Sequence, residues 1–208
     1  MRGRKKIERS LNFRPLCRRY GPLDREAGDL LKMRHDELEA LRLADFEGLY
    51  HEACAERIGT SRTTFSRILK SARHKMAQVL LFGRSLEVEA SDRPFLAAYP
   101  SVDRVHIADN PILAPFYVLA EIDKGKIVGM KFLENPITEK LKRENIALPE
   151  GHDGKGLEAG RVIPELISGA SVAVFRKIGV GLRRNLEGLG IGVVTTEHDT
   201  LDPVLNVL

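Results

Sequence analysis

Residues 51–70 read His51-Glu-Ala-Cys-Ala-Glu-Arg-Ile-Gly-Thr-Ser-Arg-Thr-Thr-Phe-Ser-Arg-Ile-Leu-Lys70. The spacing predicts two amphipathic helices joined by a tight turn. Tyr50, Ala53, Cys54 and Ile58 share one face of the first helix at helical spacing. Ala55 is small enough for two helices to cross closely. Gly59 is the residue type that ends a helix with positive φ, and Ser61 suits the N-cap of the next helix. Phe65, Ile68 and Leu69 give that helix a buried face. Its opposite face carries Arg62, Thr63, Ser66, Arg67 and Lys70, and no Asp or Glu occurs from Gly59 to Val79. An ordinary helical hairpin with a solvated basic face would share part of this pattern. The joint agreement of alanine, glycine, cap and spaced apolar residues favours a helix-turn-helix fitted to a DNA major groove. Thr60 departs from it, since that turn position usually holds an apolar residue. On this reading Arg62, Thr63, Ser66 and Arg67 face the bases. Lys70, Arg73 and the N-terminal Arg4, Lys5 and Lys6 meet phosphates.

Charge along the chain supports the division of labour. Residues 1–86 hold 19 Lys+Arg against 11 Asp+Glu, a balance of +8, and residues 87–208 hold 14 against 18, a balance of −4. A basic half beside an acidic half implies that only the first meets nucleic acid. The 208 residues, 43% of them hydrophobic, allow two domains, expected at 1–86 and 92–208. Cys17 and Cys54 form no C-x-x-C pair, so neither a disulfide framework nor a thiolate-ligated metal is indicated. No apolar run would span a membrane. The basic start lacks the apolar stretch of a secretory signal, and a cytoplasmic protein is the expectation.

Residues 1–22 are basic and broken by Pro15 and Pro22, which suits either a solubilising tail or an arm lying on DNA. Residues 36–47 predict a helix capped by Asp36, with Leu38, Leu41 and Ala44 as the inner stripe and Leu43 and Phe46 filling in beside it. The helix from Ser61 meets no breaker before Gly83. Its later residues Ala72, Met76, Val79 and Leu80 would pack on the first helix or on a second subunit, and a homodimer is expected. Residues 84–92 read as a linker or short edge strand, and Arg93–Tyr99 as a short apolar run. Phe116–Ile122 and Ile127–Leu133 read as a β-hairpin turned at 123–126. A long polar loop is expected over 134–155, and a helix over 157–168 that Pro164 bends or opens. A strand at Ser171–Phe175, a helix at Val180–Leu189, a strand at Ile191–Thr196 and a terminal helix at Leu201–Leu208 would follow. The sum is a helical first domain and a three-layer α/β second domain with a mixed sheet.

Residues 36–82 resemble an uncharacterised family of small prokaryotic proteins whose helix-turn-helix is similar to the promoter-reading fourth region of sigma factors. Asp36-Glu-Leu-Glu-Ala-Leu-Arg-Leu-Ala-Asp-Phe-Glu-Gly-Leu-Tyr50 carries most of the match, and Arg2-Gly-Arg-Lys-Lys6 fits it too. That resemblance implies DNA binding. The second half resembles the dinitrogenase iron–molybdenum cofactor biosynthesis family. It does so through Ala114-Pro-Phe-Tyr-Val-Leu119, Asp123-Lys-Gly-Lys126, Glu134-Asn-Pro136, Gly151-His-Asp-Gly-Lys-Gly156, and Gly179 and Gly181. This second resemblance implies a ribonuclease-H-like fold and an iron-containing cluster as ligand, with His152 as a candidate metal ligand. Where that family has His-Phe-Gly this chain has Asn110-Pro-Ile112, which removes one ligand. His106 lies four residues earlier and would serve only if the loop were rebuilt.

The Gly-rich 151–156 segment is no Walker motif. It suits a connecting loop or a turn that holds an anion through its amides. No nucleophile elbow is present. Asp109, Glu121, Asp123 and Asp153 declare no converging carboxylate cluster for nuclease chemistry, so no enzymatic activity is expected. The whole reads as a DNA-binding regulator with a sensor or assembly domain. The alternative is a carrier or assembly factor for an iron-containing cluster.

Overall fold

Gly59 adopts φ 72° and ψ 46° and turns the chain between two helices, α2 (His51–Ile58) and α3 (Arg62–Phe82). This geometry comes from a computed structural model that describes residues 15–24, 26, 28–90, 93–146 and 157–205. The left-handed conformation is unstrained only for glycine. The Gly59 and Thr60 amides close the α2 C-terminus on the carbonyls of Glu56 and Ala55 at 3.0 and 2.9 Å. Ser61 caps α3, its Oγ accepting from the Thr64 amide at 3.2 Å. The chain divides into two compact units, Met1–Ser91 and Asp92–Leu208.

Among the described residues of the first unit, β1 (Arg19–Tyr20) and β2 (Leu30–Met33) come first, followed by α1 (His35–Leu41). A π-helical turn over Arg42–Phe46 continues α1, closed by the Glu47 amide on the Arg42 carbonyl at 2.8 Å. Gly48, at φ 70°, then ends the segment. The expected cap at Asp36 is displaced to Arg34, whose backbone N–H donates to Glu37 Oε2 at 2.8 Å. Asp36 instead lies buried in the first turn. Phe46 and Tyr50, expected inside, are exposed (61% and 86%). The π-turn changes the angular phase beyond Leu41, so Leu43 rather than Phe46 joins the core.

Residues 85–88, expected as a linker or an edge, form the middle strand of a sheet. This strand, β3 (Ser85–Val88), pairs antiparallel with β1 and parallel with β2. Arg18 and Arg19, within the basic stretch expected as a tail or as an arm on DNA, are tied into this sheet. Arg19 pairs with Glu87 at 2.7 Å, and Arg18 Nε donates to the Val88 carbonyl at 3.1 Å. Ala72, Met76 and Val79 of α3 pack on Met33, Leu86 and Val88 within the same unit. The other side of α3 inserts Phe65, Ile68 and Leu69 among Ala40, Leu43, Cys54, Ala55 and Ile58. Burying each such side chain is worth about 1.5–3 kcal/mol.

The second unit is built on β4 (Phe95–Ser101), β5 (Phe116–Asp123), β6 (Lys126–Glu134), β7 (Val172–Phe175) and β8 (Gly192–Thr195). The sheet order is β6-β5-β4-β7-β8. β5 is antiparallel to both its neighbours, β4 and β6, and β4, β7 and β8 are parallel. The predicted hairpin and mixed sheet are present. Three helices, α4 (Pro136–Arg143), α5 (Ala159–Leu166) and α6 (Val180–Gly188), cover one face through Ile137, Ile163 and Leu186. Among the described residues the opposite face is covered by Ile107, Leu201 and Val204, in a loop and a 3₁₀ turn (Asp202–Val204). Of the terminal helix expected over 201–208, the described residues through 205 form only that turn, and 206–208 lie outside them.

α4 replaces the first part of the expected loop. Asn135 caps it, Oδ1 accepting from the Ile137 amide at 3.1 Å, and Pro136 fills the first helical position, which needs no amide partner. Pro164 sits inside α5. Lacking an N–H, it leaves the Gly160 carbonyl without its helical donor. Asn185 of α6 supplies one, Nδ2 to O at 2.8 Å. No helix among the described residues is long and apolar enough to cross a membrane.

Candidate nucleic-acid interface

The outward face of α3 follows from its inward one. With Phe65, Ile68, Leu69 and Ala72 buried, the 3.6-residue period turns Arg62, Thr63, Arg67, Lys70 and Arg73 to solvent, with Ser66 half-buried at their edge. The structure brings these expected site residues onto one helix, in different electrostatic states. Arg62 Nε lies 2.9 Å from Glu52 Oε1 of α2. Arg73 pairs bidentately with Asp45 of the π-turn, at 2.6 and 3.1 Å. That contact raises the Arg73 pKa, the hydrogen bond to Asp45 being the largest cause. Arg67 and Lys70 form no ion pair among the described residues. They are the charges of this face most available to an anion. Arg4, Lys5, Lys6 and His152 lie outside the described residues.

The neutral positions are also engaged. Thr63 Oγ1 lies 3.1 Å from Ser61 Oγ. Ser66 Oγ lies 3.1 Å from His51 Nδ1, and the His51 ring meets buried Phe65 edge-on at 5.2 Å between centroids. His51 and Glu52, in the first turn of α2, were not singled out in the sequence. Their partners are 15 and 10 residues away, and no local spacing signals contacts across a turn. Asp45, 28 residues from its partner Arg73, gives no local signal either.

Behind this face the first unit holds buried charge. Glu37, with its side chain 1% exposed, accepts from Lys75 Nζ at 2.6 Å, Ser71 Oγ at 2.7 Å and the Arg34 amide. Burial alone would push its carboxyl up. The Lys75, Arg34 and Ser71 hydrogen bonds outweigh burial and hold it below the ordinary value. Arg42 grips Glu39 through two nitrogens at 2.7 and 3.0 Å and also reaches Glu47, which Arg57 holds at 2.8 Å. These pairs lock α1, the π-turn and α2 into one scaffold behind α3.

In the second unit a cleft of about 440 Å³ is lined by Val102, His106, Asp109, Asn110, Leu113 and Arg176, among others. Arg176 pairs with Asp109 at 3.2 Å. His106 Nδ1 lies 2.6 Å from Asp103 Oδ2. The Asp103 carboxyl is pushed down to about 2, first by the His106 backbone amide and then by its ring. The same contact raises the His106 pKa. Asn110-Pro-Ile112 is closed on itself and on the sheet. Asn110 Oδ1 accepts from the Ile112 and Leu113 amides, Asn135 Nδ2 donates to the Ile112 and Ala114 carbonyls, and buried Tyr117 donates to the Pro111 carbonyl at 2.7 Å. No group of three or more His, Cys, Asp or Glu that could hold a metal ion occurs among the described residues. Both cysteines belong to the first unit, Cys17 exposed and Cys54 buried.

Comparison with known proteins places the first unit. A family described as a protein of unknown function, DUF134, matches residues 1–94. A UPF0251 protein of Desulforudis audaxviator is 44% identical over 91 residues, covering 43% of this chain and 60% of its own length. A UPF0251 protein of Pyrococcus furiosus is 43% identical over 88 residues, covering 41% of this chain and 82% of its own. The chain thus spans less than two thirds of the first of these relatives. Among solved structures, the orange protein of Desulfovibrio gigas is similar at a TM-score of 0.38 and 18% identity, over 56% of this chain and 88% of that one. Through its N-terminal residues, the chain belongs to the DUF134/UPF0251 family.

Proposed function

We propose that this protein is a DNA-binding transcriptional regulator rather than an enzyme. Its α2 and α3 act as a sigma-region-four-like helix-turn-helix on double-stranded DNA. The observation that carries the reading is the outer face of α3. Arg67 and Lys70 stand exposed there without an acidic partner among the described residues, on a helix with no acid from Arg62 to Phe82. The Gly59 turn and the Ser61 cap support it, since they hold the face proud of the scaffold. On this reading Arg67, Ser66, Arg62 and Thr63 meet base edges. Lys70, Arg73 and the N-terminal Arg4, Lys5 and Lys6 meet phosphates. The protein binds as a homodimer. The second unit is a sensor or assembly module whose sheet order, β6-β5-β4-β7-β8, suits a ribonuclease-H-like fold.

The test is recovery of genomic DNA fragments by the purified full chain at near-physiological salt. An enriched repeated motif supports the reading, and twofold symmetry in it supports the dimer. Retention of all fragments alike, abolished by salt, leaves a basic surface without readout and overturns it. Arg67→Ala should then relax discrimination by about 1–3 kcal/mol. Lys70→Ala should weaken all sequences alike and reduce the salt slope by roughly one phosphate contact.

A further inference from the structure

The first turn of α2 touches two of the four residues assigned to the bases, and both contacts cross the Gly59 turn. Glu52 Oε1 lies 2.9 Å from Arg62 Nε, and His51 Nδ1 lies 3.1 Å from Ser66 Oγ. An acid on a face meant for phosphate is unfavourable unless it does something else. Both members of the Glu52–Arg62 pair are exposed, so the pair contributes little to stability. His51 is half-buried, its ring set edge-on against Phe65. Its position is therefore held by the core rather than by Ser66.

We propose that His51 and Glu52 are positioning residues that set the base preference of α3, by orienting the Ser66 hydroxyl and the Arg62 guanidinium before DNA arrives. The inference rests on the nucleic-acid reading and deepens it. A serine hydroxyl has one proton to donate and lone pairs to accept with. If His51 Nδ1 carries its proton, Ser66 accepts from it and turns its own O–H outward, toward an acceptor such as a purine N7. If Nδ1 is bare, Ser66 donates to it and offers only lone pairs, suited to an exocyclic amine. Glu52 acts on Arg62 through a charge-assisted contact at Nε. The terminal nitrogens of the fork remain to read a base, and less side-chain freedom is lost on binding.

The experiment compares the full chain with Glu52→Gln, His51→Phe, His51→Asn, Ser66→Ala and the His51→Phe/Ser66→Ala double variant. The readout is the ratio of affinity for the recovered site to affinity for random DNA at one salt concentration. Circular dichroism controls for folding. Glu52→Gln removes a negative charge, so affinity for random DNA should rise while the ratio falls about fivefold. His51→Phe keeps a ring against Phe65 and removes Nδ1. It should lower the ratio about threefold, with no further loss in the Ser66→Ala background, and His51→Asn should restore part of it. Equal gains on both DNAs for Glu52→Gln, or additive effects of His51→Phe and Ser66→Ala, overturn the positioning role alone. A wild-type chain that selects no sequence overturns the nucleic-acid reading and this inference with it.

Discussion

Lys75→Met removes the cation from beneath a carboxylate that the fold has already desolvated. Glu37 is 1% exposed at its side chain and Lys75 23%, and their charged atoms lie 2.6 Å apart. Breaking a buried pair by deleting one partner costs about 3–5 kcal/mol. Water reaches Lys75 more than Glu37, and Ser71 and the Arg34 amide remain as donors, so we expect about 3 kcal/mol, the low end of that range. The pH dependence supplies a second check. In the native protein the Glu37 carboxyl is held below its ordinary value of 4.5. Its contribution is therefore present above the unfolded pKa and is lost as pH falls through the folded one. Without Lys75 two of the contributions that lower the Glu37 carboxyl are gone, and its folded pKa moves up. The deficit of Lys75→Met should then be full at neutral pH and shrink on acidification, as the Glu37 charge is lost in both proteins. The double variant Glu37→Gln/Lys75→Met should recover much of the loss, because no buried charge remains. Native-state hydrogen exchange at α3 amides such as Leu69 and Ala72 reports opening of this region directly. A loss below about 1 kcal/mol, or one that grows in acid, would refute the account of Glu37 as a buried, cation-dependent anion.

Three further substitutions probe the two units separately. Asn185→Ala should cost about 0.5–1.5 kcal/mol by removing the donor to the Gly160 carbonyl. In a Pro164→Ala background that cost should shrink, since residue 164 again has an amide for the same oxygen; equal costs in thermal melts would dismiss the substitute-donor account. Gly59→Ala finds no atom within 4 Å of the added methyl but keeps φ near 72°. It should lower stability by about 1–2 kcal/mol from backbone strain alone, and a neutral effect on the melt would mean the turn relaxes. Tyr117→Phe strands the Pro111 carbonyl inside the 110–114 loop, with an expected loss of about 1–3 kcal/mol. Chemical denaturation of the variant showing no change would mean that this hydroxyl does not hold the loop.

Local chemistry determined much of this molecule before any folding was known. Gly59, Ser61 and the 3.6-residue spacing of Phe65, Ile68 and Leu69 are short-range signals, each a matter of one residue's φ, one cap or one period. They placed α2, the turn and α3 correctly, together with the hairpin around 123–126 and the alternation of helix and strand after it. The Asn135-Pro136 start of α4 is an equally local signal, set in a stretch whose polarity otherwise reads as loop. Other features had no local cause. Ser85–Val88 is a central strand only because Arg19–Tyr20 and Leu30–Met33, more than 50 residues earlier, present their edges to it. Phe46 points outward because a π-turn shifts the phase after Leu41, Tyr50 is exposed as the extended N-cap of α2, and buried Glu37 is balanced by Lys75, which arrives from α3, 38 residues on. On the candidate interface, sequence named the residues of α3 from amphipathicity. Tertiary structure alone decided which of them are already partnered, Arg62 by Glu52, Ser66 by His51 and Arg73 by Asp45. Periodicity reports which face a side chain takes, whereas its partner depends on where another segment of the chain comes to lie.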